Sequence, residues 1–94
     1  MLIVSGKIYV KPAEREKFLS SSLEAIGKAR LWPGCTDFIV AADPVEPNRV
    51  NVYEEWDSEA QLLAFRDNGP DDDLYSVIER ASVARHIIAS SGPP

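Results

Sequence analysis

Short stretches of the chain alternate between hydrophobic and polar residues, and this alternation predicts β-strands. It is clearest at residues 49–56, where Val50, Val52, Glu54 and Trp56 share one side. The two valines mark that side as the one that faces the core. By this pattern, strands are predicted at residues 2–10, 35–42, 49–56 and 81–89.

Apolar residues recur at helical spacing in two further segments, which predict amphipathic helices. The second helix spans residues 58–67, and Ser58 and Gln61 form the capping-box pattern that opens it. A short helical turn is expected at residues 74–79, and Gly6 indicates a bulge or a close approach within the first strand. The first helix spans residues 13–30 and presents the stripe Phe18, Leu19, Ser22, Leu23, Ile26 and Ala29.

The order of these elements, β-α-β-β-α-β, predicts an α+β ferredoxin-like sandwich with one antiparallel sheet. Both helices are expected on one face of that sheet, with residues 1–90 forming one domain and residues 91–94 a flexible tail. The other face is too apolar to meet water, so we expect it to pack against a second copy in a homodimer. Its expected residues are Ile3, Tyr9, Tyr53, Ile88 and either Phe38 or Ile39.

Composition and charge matter mainly by what they exclude. The 94 residues carry a net charge of −5, which argues against a nucleic acid or an anionic membrane as partner. The single Cys35 forms no internal disulfide and is expected to be an inert core thiol, so a cytoplasmic setting is predicted. The run Asp71-Asp72-Asp73 lacks the spacing of a calcium loop, and no metal site is predicted.

Several motifs, taken in order, resemble the antibiotic biosynthesis monooxygenase domain family of the dimeric α+β barrel group. The resemblance covers residues 3–88 and implies a homodimer of ferredoxin-like subunits. It also implies oxygenation of an aromatic polyketide or quinol by O2 without a metal, flavin or haem cofactor. The motifs are Val10-Lys11-Pro12, Pro33-Gly34-Cys35, Asp43 with Pro47, Tyr53-Glu54-Glu55-Trp56, and Ser58-Glu59-Ala60.

One position departs from this resemblance. Members that resemble quinol monooxygenases usually carry a histidine in the second helix, where this chain has Phe65. The segment 68–73 that follows is unusually acidic, so both the substrate and the catalytic base are left open. The haem-degrading branch of the superfamily is disfavoured, because the first strand has no Asn and the only histidine lies in the last strand.

Two residues are candidates for the catalytic role. Glu54 is the first candidate for a base or hydrogen-bond acceptor, because a carboxylate beside Trp56 and two valines is expected to have a raised pKa. The alternative is a structural ion pair or hydrogen bond that fixes the end of the strand. His86 is the second candidate, since its intrinsic pKa lies near neutrality, and its alternative is a structural or interfacial role.

Four aromatic residues are candidates for binding a substrate ring: Trp56, Phe65, Tyr75 and Trp32. For Trp56 the alternative is a place in the core or the subunit interface, given the area that an indole buries. The leading hypothesis is therefore a cofactor-independent monooxygenase, an oxidoreductase that acts on a phenolic, quinol or polyketide-type aromatic. A non-catalytic ligand-binding or stress-related dimer, and a cofactor-free isomerase or cyclase, are the alternatives.

Overall fold

The computed structural model describes residues 1–67 and 72–94, and its fold is the ferredoxin-like βαββαβ arrangement that was predicted. The four strands form one antiparallel sheet in the order β2-β3-β1-β4. Within the described ranges, no helix is long and apolar enough to cross a membrane. The elements are β1 (Leu2–Val10), α1 (Arg15–Arg30), β2 (Cys35–Ala42), β3 (Arg49–Trp56), α2 (Glu59–Arg66), a 3-10 helix (Asp72–Val77) and β4 (Ile78–Ile87). Of the acidic segment predicted at 68–73, residues 68–71 lie outside the described residues.

Helix α1 begins at Arg15, two residues later than predicted. Ala13 has a φ of +68°, which is not helical, and the Glu14 N–H donates to the Lys11 carbonyl at 3.1 Å. The chain therefore makes a turn after Pro12 before the helix can start. Helix α2 agrees with its capping-box pattern, since the Ser58 hydroxyl accepts a hydrogen bond from the Gln61 N–H.

One residue of the predicted α1 stripe is misplaced: Leu23 is 67% exposed. The buried residues of this helix are Phe18, Ser22 and Ala29, which recur at intervals of four and seven. At about 100° per residue, Leu23 lies about 140° around the helix from Phe18 and points to solvent. Leu19 and Ile26 are half-buried at the margin of the stripe.

Strand β4 begins at Ile78, three residues before its predicted start, and the helical turn before it ends at Val77 rather than at residue 79. The reason lies in long-range pairing, because Val10 of β1 pairs with Ile78. Val77 and Ile78 also pack against the buried cluster formed by Val10, Phe18 and Val50. Together, the pairing and the packing explain why β4 starts before its predicted first residue.

Gly6 allows β4 to approach β1 closely, as predicted from its place within a strand. Its φ is +154°, and a Cβ atom there would collide with the Ser82 carbonyl oxygen. Any larger residue would push β4 away from the centre of the sheet.

The β2–β3 turn is held by Asp43, whose carboxylate accepts hydrogen bonds from the N–H groups of Glu46 and Val45 at 2.8 and 3.0 Å. The Asn51 amide donates to the same carboxylate at 2.9 Å. These bonds, the one from Glu46 foremost, stabilise the charged form and lower the pKa of Asp43 to about 2. The turn is thus tied to the ionised state of one side chain.

Strand register divides the sheet into a helix-covered face and an open face. Phe38 pairs with Glu54, which places it on the helix-covered face, whereas Ile39 pairs with Tyr53 on the open one. Of the two alternatives for the open face, Ile39 is therefore correct. Ile3 lies on this face as well, opposite Glu55 of β3. Ile88, also predicted there, follows the last residue of β4 and is half-buried.

Two buried clusters lie between the helices and the sheet. One contains Leu2, Val4, Ala29, Trp56, Leu62 and Phe65, and the other contains Val10, Phe18 and Val50. The first cluster packs α2 and the end of α1 against the end of β3 at Trp56. The second holds the start of α1 over the opposite end of the sheet.

Candidate functional site

A cavity of about 360 Å³ lies between the sheet and the helices, and members of both buried clusters contribute to its wall. Its volume is within the range of small-molecule sites. The lining is mostly aliphatic and aromatic, and comprises Val4, Ile8, Phe18, Ser22, Ala25, Phe38, Val40, Val52, Glu54, Phe65, Arg66, Tyr75 and Val83. A cavity of this composition favours an apolar molecule that carries a few polar groups.

Glu54 is the acidic residue of this wall and is only 8% exposed. The alternation of β3 brings it to the helix-covered face together with Val50, Val52 and Trp56, all of them buried. Its Oε1 accepts a hydrogen bond of 2.9 Å from Trp56 Nε1, two residues along the strand. The sequence predicted that Glu54 is either a base or a carboxylate held by a structural bond. The structure contains such a bond, and the carboxyl still lines the cavity.

Burial is the main cause that raises the pKa of Glu54, because a charge is poorly solvated among apolar side chains. The hydrogen bond from Trp56 and the positive charge of Arg66 act in the opposite sense. Within the described residues, the second oxygen, Oε2, has no hydrogen-bond donor. A group with a raised pKa and an open oxygen in a cavity can either accept a proton from a ligand or donate one to it.

Phe65 lines the cavity and is the centre of an aromatic cluster. Its ring lies 5.6 Å from Trp32, 5.7 Å from Phe38 and 5.5 Å from Trp56, centroid to centroid. Two of these contacts are edge-to-face, which is a favoured geometry for aromatic pairs. The residue that occupies the usual histidine position therefore contributes shape and apolar surface to the cavity and brings no proton acceptor.

The other predicted site residues are distributed around the cavity or away from it. Tyr75 lines it and is half-exposed. Trp56 is fully buried and Trp32 is half-buried; both pack in the cluster around Phe65, behind the residues that form the wall. Ring binding by either tryptophan stays a prediction.

His86 is not brought together with Glu54. It is exposed and pairs with Ile3, so it lies on the open face of the sheet, whereas Glu54 lies on the helix-covered face. Within one subunit the two residues therefore do not share a cavity. On β4, Val83 lies on the helix-covered face, where it pairs with Gly6 and lines the wall.

Two polar lining residues were not predicted from the sequence, Ser22 and Arg66. Ser22 is 4% exposed and donates to the Phe18 carbonyl at 2.8 Å, one turn earlier in α1. A serine within an apolar helical stripe is a signal that could have identified it. Arg66 reaches the cavity from the last residue of α2, and no periodicity marks such a position.

Cys35 is half-buried beside the first cluster, and its thiol contacts the Asp37 carbonyl at 3.4 Å. Burial, followed by the charges of Glu54 and Asp37, raises the pKa of this thiol, so the reactive thiolate form is disfavoured. Among the described residues, no group of three or more His, Cys, Asp or Glu side chains is placed to hold a metal ion.

Solved structures with the same fold cover almost the entire chain. A proposed antibiotic biosynthesis monooxygenase from Chloroflexus aurantiacus is 22% identical, with a TM-score of 0.78, over 98% of this chain and 96% of that one. Another from Deinococcus radiodurans is 15% identical, with a TM-score of 0.85, over 100% and 98% of the two chains. At these identities the likeness shows a shared fold.

Comparison with other sequences identifies the family of the chain. An uncharacterized protein of Synechocystis sp. is 34% identical over 61 residues, which are 65% of this chain and 42% of that protein. The match thus spans less than half the length of this curated relative. The family model described as "Antibiotic biosynthesis monooxygenase" matches residues 1–70, where β1 to α2 and the Tyr53-Glu54-Glu55-Trp56 motif lie. With most of its length covered by that model, the chain belongs to the antibiotic biosynthesis monooxygenase family.

Proposed function

We propose that the protein is a cofactor-independent monooxygenase that oxidises a phenolic, quinol or polyketide-type aromatic with O2. The observation that carries this proposal is the buried Glu54 carboxyl, which presents an open oxygen to an apolar cavity of about 360 Å³. Family membership supports the reaction class. A cytoplasmic setting belongs to the same proposal.

The substrate supplies every electron that the reaction needs. A hydroquinone and O2 yield a hydroxyquinone and water, and an anthrone and O2 yield an anthraquinone and water. In the first step, Glu54 accepts the proton of the substrate hydroxyl, which leaves an electron-rich anion in the cavity. The anion passes an electron to O2, the two radicals combine at a ring carbon, and loss of water from the peroxide forms the new carbonyl. Glu54 returns its proton to the departing hydroxide.

The apolar wall has two roles in this scheme. It holds the aromatic ring flat against Phe65 and Phe38, which fixes the distance from the hydroxyl to Glu54. It also keeps water from the carboxyl, and this dry setting is what raises the pKa of Glu54 towards that of a useful base.

The test is oxygen uptake by metal-free protein with a panel of anthrones and hydroquinones. We expect uptake by the natural sequence and a loss of about a hundredfold or more in Glu54→Gln, which keeps the bond to Trp56 but removes the base. Glu55→Gln is the matched control, since Glu55 lies on the opposite face of the same strand. Absence of uptake with every substrate, or an unchanged rate in Glu54→Gln, would contradict the proposal.

A non-catalytic ligand-binding or stress-related dimer is the second candidate, and the place of Phe65 favours it. Because this side chain is packed among three aromatic rings, α2 offers the cavity no histidine base. This candidate predicts thermal stabilisation by ligands without any product. Product formed in the absence of oxygen would indicate an isomerase or cyclase instead.

We also infer that two copies pack through the open sheet face into a homodimer. Ile3, Ile39 and Tyr53 give this face an apolar centre, with Ile39 37% exposed in the subunit. Burying that surface would offset the small core of a 94-residue chain. Light scattering at micromolar concentration should give the mass of two chains, and a monomer there would contradict the inference.

A further inference from the structure

Arg66 places one positive charge at the opening of the cavity. Arg66 lines the cavity but, unlike Glu54, is solvent-exposed, so its guanidinium lies where the cavity meets solvent. The ion pairs among the described residues use the guanidinium groups of Arg30, Arg49 and Arg85, and none of them uses Arg66. Within that part of the chain, the guanidinium makes no ion pair that a bound carboxylate would have to displace.

The polar groups of the cavity occupy two separate zones. Glu54 and Ser22 are 8% and 4% exposed and form the buried zone. Arg66 and Tyr75 are both exposed and form the outer zone, with Tyr75 50% exposed. The rest of the wall is mostly apolar, so a ligand that satisfies both zones must carry two polar groups on an apolar ring system.

We propose that the ligand is an aromatic hydroxy acid, whose carboxylate pairs with Arg66 at the opening while its hydroxyl faces Glu54. This inference rests on the proposed function for the role of the hydroxyl. A guanidinium presents two parallel N–H donors that match the two oxygens of a carboxylate. The Tyr75 hydroxyl is a further donor on the same side.

The net charge of −5 means that the chain as a whole does not attract acids. An acidic chain repels anions at long range, so the protein has no general affinity for acids. A preference for an acidic ligand would have to arise from contact with a particular cation. A neutral phenol, by contrast, leaves the Arg66 guanidinium in water and gains nothing from it.

A different role for Arg66 makes a different prediction. If its charge serves only to balance Glu54, whose pKa it lowers, then acidic and neutral ligands should bind alike. Removing Arg66 would then weaken neither ligand selectively. Comparing ligands that differ only in the carboxylate distinguishes these two roles of Arg66.

The experiment is calorimetric titration under nitrogen with a hydroxynaphthoic acid and with the corresponding naphthol. We expect the acid to bind about tenfold or more tightly than the naphthol, as one charge-assisted contact provides. Arg66→Gln should abolish this preference while leaving the affinity for the naphthol within about twofold. Added salt should reduce the preference in the natural sequence, because the guanidinium is solvent-exposed.

Arg30→Gln is the matched control, because Arg30 is also exposed and lies outside the cavity, where it pairs with Asp37. It should leave both affinities unchanged. Equal affinity for the two ligands, a preference that persists in Arg66→Gln, or binding of neither ligand would overturn the proposal. Because these titrations exclude oxygen, a preference for the acid without oxygen uptake in air would refute the monooxygenase proposal and uphold this one.

Discussion

The hydrogen bond between Trp56 and Glu54 is the contact that fixes the cavity's carboxyl, and Trp56→Phe removes it while keeping a ring in the core. Loss of a donor to a buried, charged acceptor costs about 1.5–3 kcal/mol. The smaller ring forfeits roughly 40 Å² of buried apolar area, or about 1 kcal/mol at about 25 cal/mol per Å². We therefore expect the free energy of unfolding to fall by about 2.5–4 kcal/mol at neutral pH.

A double-mutant cycle separates the hydrogen bond from the packing. Glu54→Leu removes the acceptor, and its coupling energy with Trp56→Phe should be about 1–3 kcal/mol. Trp32→Phe is the matched control, since Trp32 also contacts Phe65 but makes no bond to Glu54, and its coupling with Glu54→Leu should stay below about 0.5 kcal/mol. Urea denaturation followed by far-ultraviolet circular dichroism measures all of these variants.

The pH dependence gives a second, independent reading of the same bond. Because burial raises the pKa of Glu54 in the folded state above its ordinary value of 4.5, the folded protein binds more protons than the unfolded chain. This contribution to stability is complete below the unfolded pKa and is lost as the pH rises through the folded pKa. Without the Trp56 bond the folded pKa rises further, so Trp56→Phe should cost less near pH 4 than near pH 8. An equal cost at both values, or a coupling energy near zero, would refute the assignment.

Three other changes test the turn, the sheet and the interface. Gly6→Ala should lower the free energy of unfolding by about 3 kcal/mol or more, or prevent folding, because the new Cβ meets the Ser82 carbonyl. Gly27→Ala, where the space is open, should instead raise it by up to about 1 kcal/mol, as measured by thermal denaturation. Asp43→Asn should be less stable than the natural protein above about pH 4, and the difference should shrink as the pH falls through about 2, because the pKa falls from 3.8 to about 2 on folding. A constant difference in urea denaturation would contradict this. Ile39→Glu on the open face should shift light scattering towards a single chain, and an unchanged mass would place the interface elsewhere.

The parts of the fold that sequence reasoning recovered are those fixed by local patterns. Strands β2 and β3 have the predicted bounds, because Gly34 and the Asp43 turn punctuate a clear alternation. The start of β4 was missed, because Ile78 joins the sheet through its pairing with Val10, a contact far away in sequence. No local pattern reports such a contact.

The candidate site was recovered only in part, for the same reason. Glu54 was found because a period of two ties it to the valines of its own strand. For His86 the alternation showed which neighbours share its side, but only the pairing with Ile3 shows that this side is the open face. Arg66 carries no signal in sequence, since its place at the cavity depends on how α2 lies over the sheet.

Because β3 lies between β2 and β1, the walls of the cavity differ in how fast their backbone amides exchange with solvent. Both edges of β3 are paired, so its amides exchange with solvent only in the largest unfolding events of the sheet. Arg66, at the last residue of an eight-residue helix, lies where helices fray readily. Glu54 is thus carried by a slowly exchanging strand of the cavity wall, and Arg66 by a helix end that exchanges faster. Deuterium labelling should record the arrival of a ligand as new protection in the last turn of α2, while the labelling of β3 stays constant.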